Sequence, residues 1–127
     1  MPELPEVEVL VRHLAPLISG RTVREVNVRR ESSLRGTGEK AFKQALTGAR
    51  FTGLTRRGKY LLFELRPGGN PAPFKMLGHL GMTGRMYLQP KGAVLARHAA
   101  VVLALGKKDF IFEDTRRFGR LPLDLTS

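Results

Sequence analysis

Near the start of the chain, apolar residues fall at Leu4, Val7, Leu10, Val11, Leu14, Leu17 and Ile18, a helical rhythm that keeps them on one face. The spacing predicts a helix from Pro2 to Ser19, ended by Gly20. It should be strained or broken near Pro16, because proline lacks an N–H and its ring crowds the preceding turn. A second, short helix is predicted from Thr37 to Thr47, with Phe42, Ala45 and Leu46 as its buried stripe, Thr37 as its cap and Gly48 as its stop. Elsewhere the rhythm shortens to apolar-rich runs split by turn signals. Strands are predicted at Val23–Val28, Phe51–Arg56, Tyr60–Leu65, Phe74–Leu77, Arg85–Leu88, Ala100–Leu105, Phe110–Phe112 and Leu121–Leu125. Gly106 to Asp109 would turn a hairpin, and Pro67 to Pro73 would form a surface loop. Many short strands with helices at the front point to a β-sandwich flanked by two helices.

Composition narrows the partners. The 127 residues suit one domain with a proper core. Lys and Arg number 22 against 11 Asp and Glu, a net charge of +11. An excess of that size favours a polyanion through counterion release, and nucleic acid over an anionic membrane. No apolar run approaches the ~20 residues of a spanning helix, and no signal-peptide core is visible. With no cysteine there can be no disulfide or cysteine-based metal site in this segment, and His13, His79 and His98 lie too far apart to suggest ligand spacing.

Chemistry concentrates at the first residues, Met1-Pro2-Glu3-Leu4-Pro5-Glu6-Val7-Glu8. Once Met1 is removed the chain begins with a secondary amine beside a carboxylate. Such an amine is partly unprotonated near neutrality, since a terminal α-amino group ordinarily titrates at ~7.7–8.0. Condensed with a sugar C1′ it gives an iminium ion, an electron sink for breaking neighbouring bonds, while Glu3 could shuttle protons. The same residues also read as an ordinary helix start, where proline and glutamate are favoured. A retained Met1 would turn the Pro2 nitrogen into an unreactive amide.

Three further segments carry charge or special geometry. Arg56-Arg-Gly-Lys59 sets cations beside a glycine, suited to a phosphate or to a charge-protected edge strand. Gly78-His-Leu-Gly-Met82-Thr-Gly84 reads as a loop carrying Met82, either a core residue at a bend or an apolar wedge for a base stack. Asp114-Thr-Arg116-Arg117-Phe118-Gly119-Arg120 sets an aromatic among arginines, fit for phosphate contact and stacking or for a solvated loop with one buried ring. His98, after Arg97, could donate to a phosphate or simply lie at the surface.

In this order these segments resemble the bacterial formamidopyrimidine-DNA glycosylases, repair enzymes that remove oxidised purines such as 8-oxoguanine. The resemblance runs the length of the chain. It implies an α+β, mainly β fold, a two-layer antiparallel β-sandwich flanked by two α-helices, in agreement with the strand count. It implies Pro2 as the nucleophile at C1′, Glu3 as the proton donor, and Lys59 as an aid to elimination that holds a phosphate beside the lesion. Met82, Arg116 and Phe118 match the residues that fill the gap left by an everted nucleotide, a step that offsets part of an extrusion cost of a few kcal/mol. Arg117 and His98 join the expected DNA contacts, and Glu6 matches a glutamate near the site. The implied partner is double-stranded DNA with oxidised bases or abasic sites, met by a monomer in a bacterial cytoplasm, with no membrane.

The chain also departs from the pattern. Thr115 replaces a usual proline, and His98-Ala-Ala100 stands where the family often has His-Asp-His. Family members continue into a helix–two-turn–helix and a four-cysteine finger with one structural zinc; neither is expected in residues 1–127, and no cofactor is expected here. The chain thus reads as the N-terminal catalytic domain of a longer protein, and by itself is expected to bind DNA weakly with little or no glycosylase activity. Three other readings stay open: a non-enzymatic basic nucleic-acid-binding β-domain; an endonuclease VIII-like enzyme acting on oxidised pyrimidines, which Leu4 disfavours; and a structural or ribosome-associated domain, which explains the charge but not the ordered motifs.

Overall fold

A computed structural model of the chain describes residues 4–69, 72–116 and 118–125. The expected sandwich is present. In chain order its elements are α1 (Leu4–Ile18), β1 (Glu25–Val28), a 3-10 turn (Glu31–Leu34), α2 (Glu39–Leu46), β2 (Arg50–Arg57), β3 (Tyr60–Arg66), β4 (Phe74–His79), β5 (Arg85–Pro90), β6 (Ala99–Ala104), β7 (Lys108–Glu113) and β8 (Leu123–Asp124). One sheet runs β1-β6-β7-β5 and the other β2-β3-β4-β8. Every pairing in both is antiparallel.

The core follows from alternation. On β3, Leu61, Phe63 and Leu65 point inward while the residues between them are half-buried or exposed. Phe63 meets Phe51 of β2 edge-on, with centroids 6.0 Å apart, and crosses to Phe110 of the facing sheet at 5.6 Å. Such offset aromatic contacts add about 0.5–1.5 kcal/mol to the burial of each pair. β6 is buried nearly throughout, because Ala99 and Val102 on its outer face are covered with Ile111, Tyr87 and Leu95. The helices extend the same core: Val7, Val11, Leu14 and Ile18 of α1, and Phe42 and Leu46 of α2, are buried, with Ala45 packed half-buried beside them.

Several boundaries differ from expectation. α1 is not broken at Pro16 but runs through it to Ile18. The missing N–H falls in the last turn and costs one bond, to the Arg12 carbonyl four residues back; beyond it the helix-end carbonyls of Ala15 and Leu17 accept from Ser19 Oγ at 2.8 Å and Arg21 Nε at 2.6 Å. Gly20, at φ +87°, then ends the helix in the left-handed region. Thr37 does not cap α2. Gly38 holds the cap position, the Glu39 N–H donates to the Glu31 carboxylate at 3.0 Å, and the Thr37 hydroxyl accepts from the Leu123 N–H instead. The β6–β7 hairpin forms, but its turn is tighter than expected, Lys108 and Asp109 already lying in the strand. Gly78 and His79 close β4 rather than opening a loop.

Candidate nucleic-acid interface

One end of the sandwich gathers most of the chemistry read from the sequence. The β2–β3 turn brings Gly58 and Lys59 to this end, and Tyr60 then pairs with His79 at the end of β4. His79 in turn exchanges two 2.9 Å backbone hydrogen bonds with Arg120. Side chains repeat that juxtaposition. The Tyr60 ring lies edge-on to the imidazole at 4.9 Å, and Arg120 donates to the Tyr60 hydroxyl at 2.6 Å with its guanidinium 5.5 Å from the ring centre.

His79 is buried and its Nδ1 accepts the Gly81 N–H at 3.0 Å. That bond fixes the tautomer, leaving the proton on Nε2. Burial, then the cations Arg120 and Lys59, hold its pKa below the ordinary 6.5. The group is therefore a neutral donor close to a lysine. The sequence marks the surrounding motif but assigns no role to this histidine, nor to Tyr60 or Arg120. Their signal lies in pairing across strands, which spacing along the chain does not reveal.

Two loops lie against each other next to this cluster, residues 80–84 and the described residues 114–116 and 118–119. Asp114, buried beneath them, accepts from the Thr83 hydroxyl at 2.7 Å, the Arg116 N–H at 3.2 Å and the Gly119 N–H at 2.6 Å. Glycine is required where they touch. A Cβ on Gly81 would stand 2.6 Å from backbone atoms of Phe118 and Gly119, and one on Gly119 would meet the His79 carbonyl at 2.8 Å.

This packing leaves Met82 46% and Phe118 49% exposed, too open for core residues. Arg116, also exposed, sits over the Phe118 ring at 5.3 Å. The structure therefore brings Met82, Arg116 and Phe118 onto one rim, an apolar wedge, a guanidinium and an aromatic, with Lys59 at the turn beside the His79 cluster.

The start of α1 approaches the same end. Glu6 lines a shallow groove with Leu80, Gly84 and Arg85, and Glu8 pairs with Arg56 of β2 at 3.5 Å. Pro2, Glu3 and Arg117 lie outside the described residues. His98 is half-buried on the other side of Asp114, its carbonyl accepting the Asp114 N–H at 3.1 Å. Arg29, Arg30 and Arg97 surround it, and of these the sequence singles out only Arg97, as the neighbour of His98. Among the described residues no three histidine or carboxylate side chains converge as a metal site would need. No helix among them is long and apolar enough to cross a membrane.

A helix-flanked antiparallel sandwich of net charge +11, whose end carries a cationic turn and an aromatic-arginine rim, defines a class of strongly basic β-domains. The particular family is shown by sequence: residues 1–121 match the family described as the formamidopyrimidine-DNA glycosylase N-terminal domain, and the chain belongs to it. It is 42% identical over 123 residues to a formamidopyrimidine-DNA glycosylase of Desulfitobacterium hafniense, an alignment covering 97% of this chain and 43% of that protein. To the glycosylase of the same description from Thermus thermophilus it is 40% identical over 121 residues, covering 95% of this chain and 39% of the relative. Among solved structures, the Lactococcus lactis enzyme non-covalently bound to DNA containing an AP site superposes with a TM-score of 0.88 at 32% identity, over 97% of this chain and 44% of that one. The chain thus spans less than half the length of the relatives it matches.

Proposed function

We propose that this chain is the nucleophile-bearing part of a bifunctional DNA glycosylase/AP lyase that removes oxidised purines. The Pro2 amine, freed of Met1, attacks C1′ of the damaged nucleotide; the C–N bond forms as the glycosidic bond breaks, and the base departs with a proton supplied through Glu3. Ring opening gives an iminium ion whose positive nitrogen accepts electrons from the neighbouring C–H bond. Loss of the C2′ proton expels the 3′ phosphate, and loss of the C4′ proton then expels the 5′ phosphate. Lys59 and the Nε2–H of His79 hold a phosphate beside the sugar, while Met82, Arg116 and Phe118 fill the vacated stack.

The observation that carries this reading is the rim itself. Three side chains of the types needed to replace a lost base stand exposed together, on loops fixed from below by Asp114 and adjoining the Lys59–His79 cluster. A binding module without chemistry accounts for the charge and would use the Pro-Glu segment only as a helix start. The test is borohydride trapping on abasic-site duplex with the full-length parent of this chain, intact mass confirming loss of Met1. The parent should form a stable adduct that Pro2→Gly loses or greatly reduces. Absence of any adduct from the correctly processed parent would leave only the binding module, and faster excision of thymine glycol than of 8-oxoguanine by that protein would reassign the substrate to oxidised pyrimidines.

A further inference from the structure

Behind the Asp114 junction lies a groove lined by Arg29, Arg30, Arg97, His98 and Ala99, with no carboxylate among its described lining residues. Two of its cations, Arg29 and Arg30, are each tied to a backbone carbonyl, while Arg97 is exposed at its edge. As β1 ends, the backbone N–H groups of Arg29 and Arg30 both donate to the Ala100 carbonyl, at 2.8 and 3.2 Å. Arg29 Nε then donates to the Ala99 carbonyl at 3.0 Å, and Arg30 Nη1 to the Asp114 carbonyl at 2.8 Å. Each guanidinium carries five N–H groups, so one bond to a carbonyl fixes its position and leaves donors for a ligand. The nearest acidic groups are otherwise engaged. Asp114 accepts from its own loops, Glu113 from Tyr87, and Glu31 from the Glu39 N–H. Fixed arginines facing no carboxylate suit an anion with several acceptor oxygens.

We propose that Arg29, Arg30 and Arg97, together with His98, seat a backbone phosphodiester of duplex DNA, and that this seat is mechanically joined to the Arg116–Phe118 rim. The proposal rests on the DNA reading above and extends it from a lone histidine to a three-arginine seat. The join is Asp114: its carbonyl holds Arg30, its N–H is held by His98, and its carboxylate holds both rim loops. A phosphate drawn into the groove would therefore set the register of the duplex relative to the rim, as backbone contacts do when they position a reader.

The test is equilibrium binding of an undamaged duplex across a salt series. Arg29→Gln with Arg97→Gln is compared with Lys40→Gln with Lys107→Gln, an equal charge loss at exposed sites elsewhere, and the thermal midpoint of each variant checks folding. The groove variant should weaken binding more than the control and reduce the slope of log K against log salt by about 1 for each phosphate no longer neutralised. Lysine replacements should restore most of that slope. Should either pair be unfolded, Arg97→Gln alone against Lys107→Gln gives the same comparison. A slope change no larger than the control's overturns the seat. The ring resonances of His98 identify the occupant: duplex should shift them, whereas a shift with inorganic phosphate but none with duplex would reassign the groove to a free anion and refute the proposal. Failure of the glycosylase reading would show separately, as no Pro2-dependent adduct from the unmutated full-length parent.

Discussion

At the scale of single residues, His79 shows how position sets chemistry. In sequence it is one of three scattered histidines. In the fold it is buried, its Nδ1 is occupied by the Gly81 N–H, and Arg120 and Lys59 oppose a second positive charge. Its folded pKa therefore lies below the unfolded 6.5, and the neutral form is the one the fold prefers. The sign follows directly. This preference stabilises the protein fully above pH 6.5 and is lost as pH falls below it, until the folded group protonates as well. Denaturant midpoints should thus decline between pH 6.5 and the lower folded value, and His79→Gln should flatten that part of the profile; an unchanged profile would remove the histidine from the acid response. The sequence singles out Met82, Arg116, Phe118 and Lys59 by residue type and motif, and the fold brings them to one end of the sandwich. His79, Tyr60, Arg120 and the Arg29–Arg30 pair are not singled out, because their meaning arises from cross-strand register and from a strand end curling over its neighbour.

At the scale of elements, the helical rhythm locates α1 and the apolar stripe of α2, and the apolar-rich runs between turn signals overlap every described strand. What they miss are ends and exceptions, which tertiary partners decide. Thr37 has the right chemistry for a cap, yet Glu31 reaches the α2 start from the preceding 3-10 turn and Thr37 serves Leu123. Pro16 carries a breaker's signature, yet α1 passes through it because Val11, Leu14 and Ile18 are anchored on either side. Burial here outweighs a missing hydrogen bond: each fully buried aliphatic side chain contributes about 1.5–3 kcal/mol. The helix should nevertheless gain from restoring that bond. Pro16→Ala at this exposed position is expected to raise stability by about 1 kcal/mol, the regained bond outweighing the more flexible unfolded chain. A fall in the thermal midpoint would mean that the ring itself is needed by the last turn.

At the scale of the whole molecule, the described residues proposed to touch DNA lie at one end of the sandwich or just behind it. Among the described residues, Asp114 is the buried one whose bonds reach both the rim and the groove. Asp114→Asn would set an amide NH2 against at least one of the N–H or O–H donors it now accepts from. An unsatisfied buried donor costs about 1–3 kcal/mol, so a clear loss of stability and of duplex affinity is expected, with Thr83→Val showing a smaller loss because it removes only one partner. Retention of full affinity in a destabilised Asp114→Asn protein would show that rim and groove act independently. The arrangement resembles a hub with spokes: damage to the hub should disturb rim and groove together, whereas damage to any one spoke should dull only its own contact.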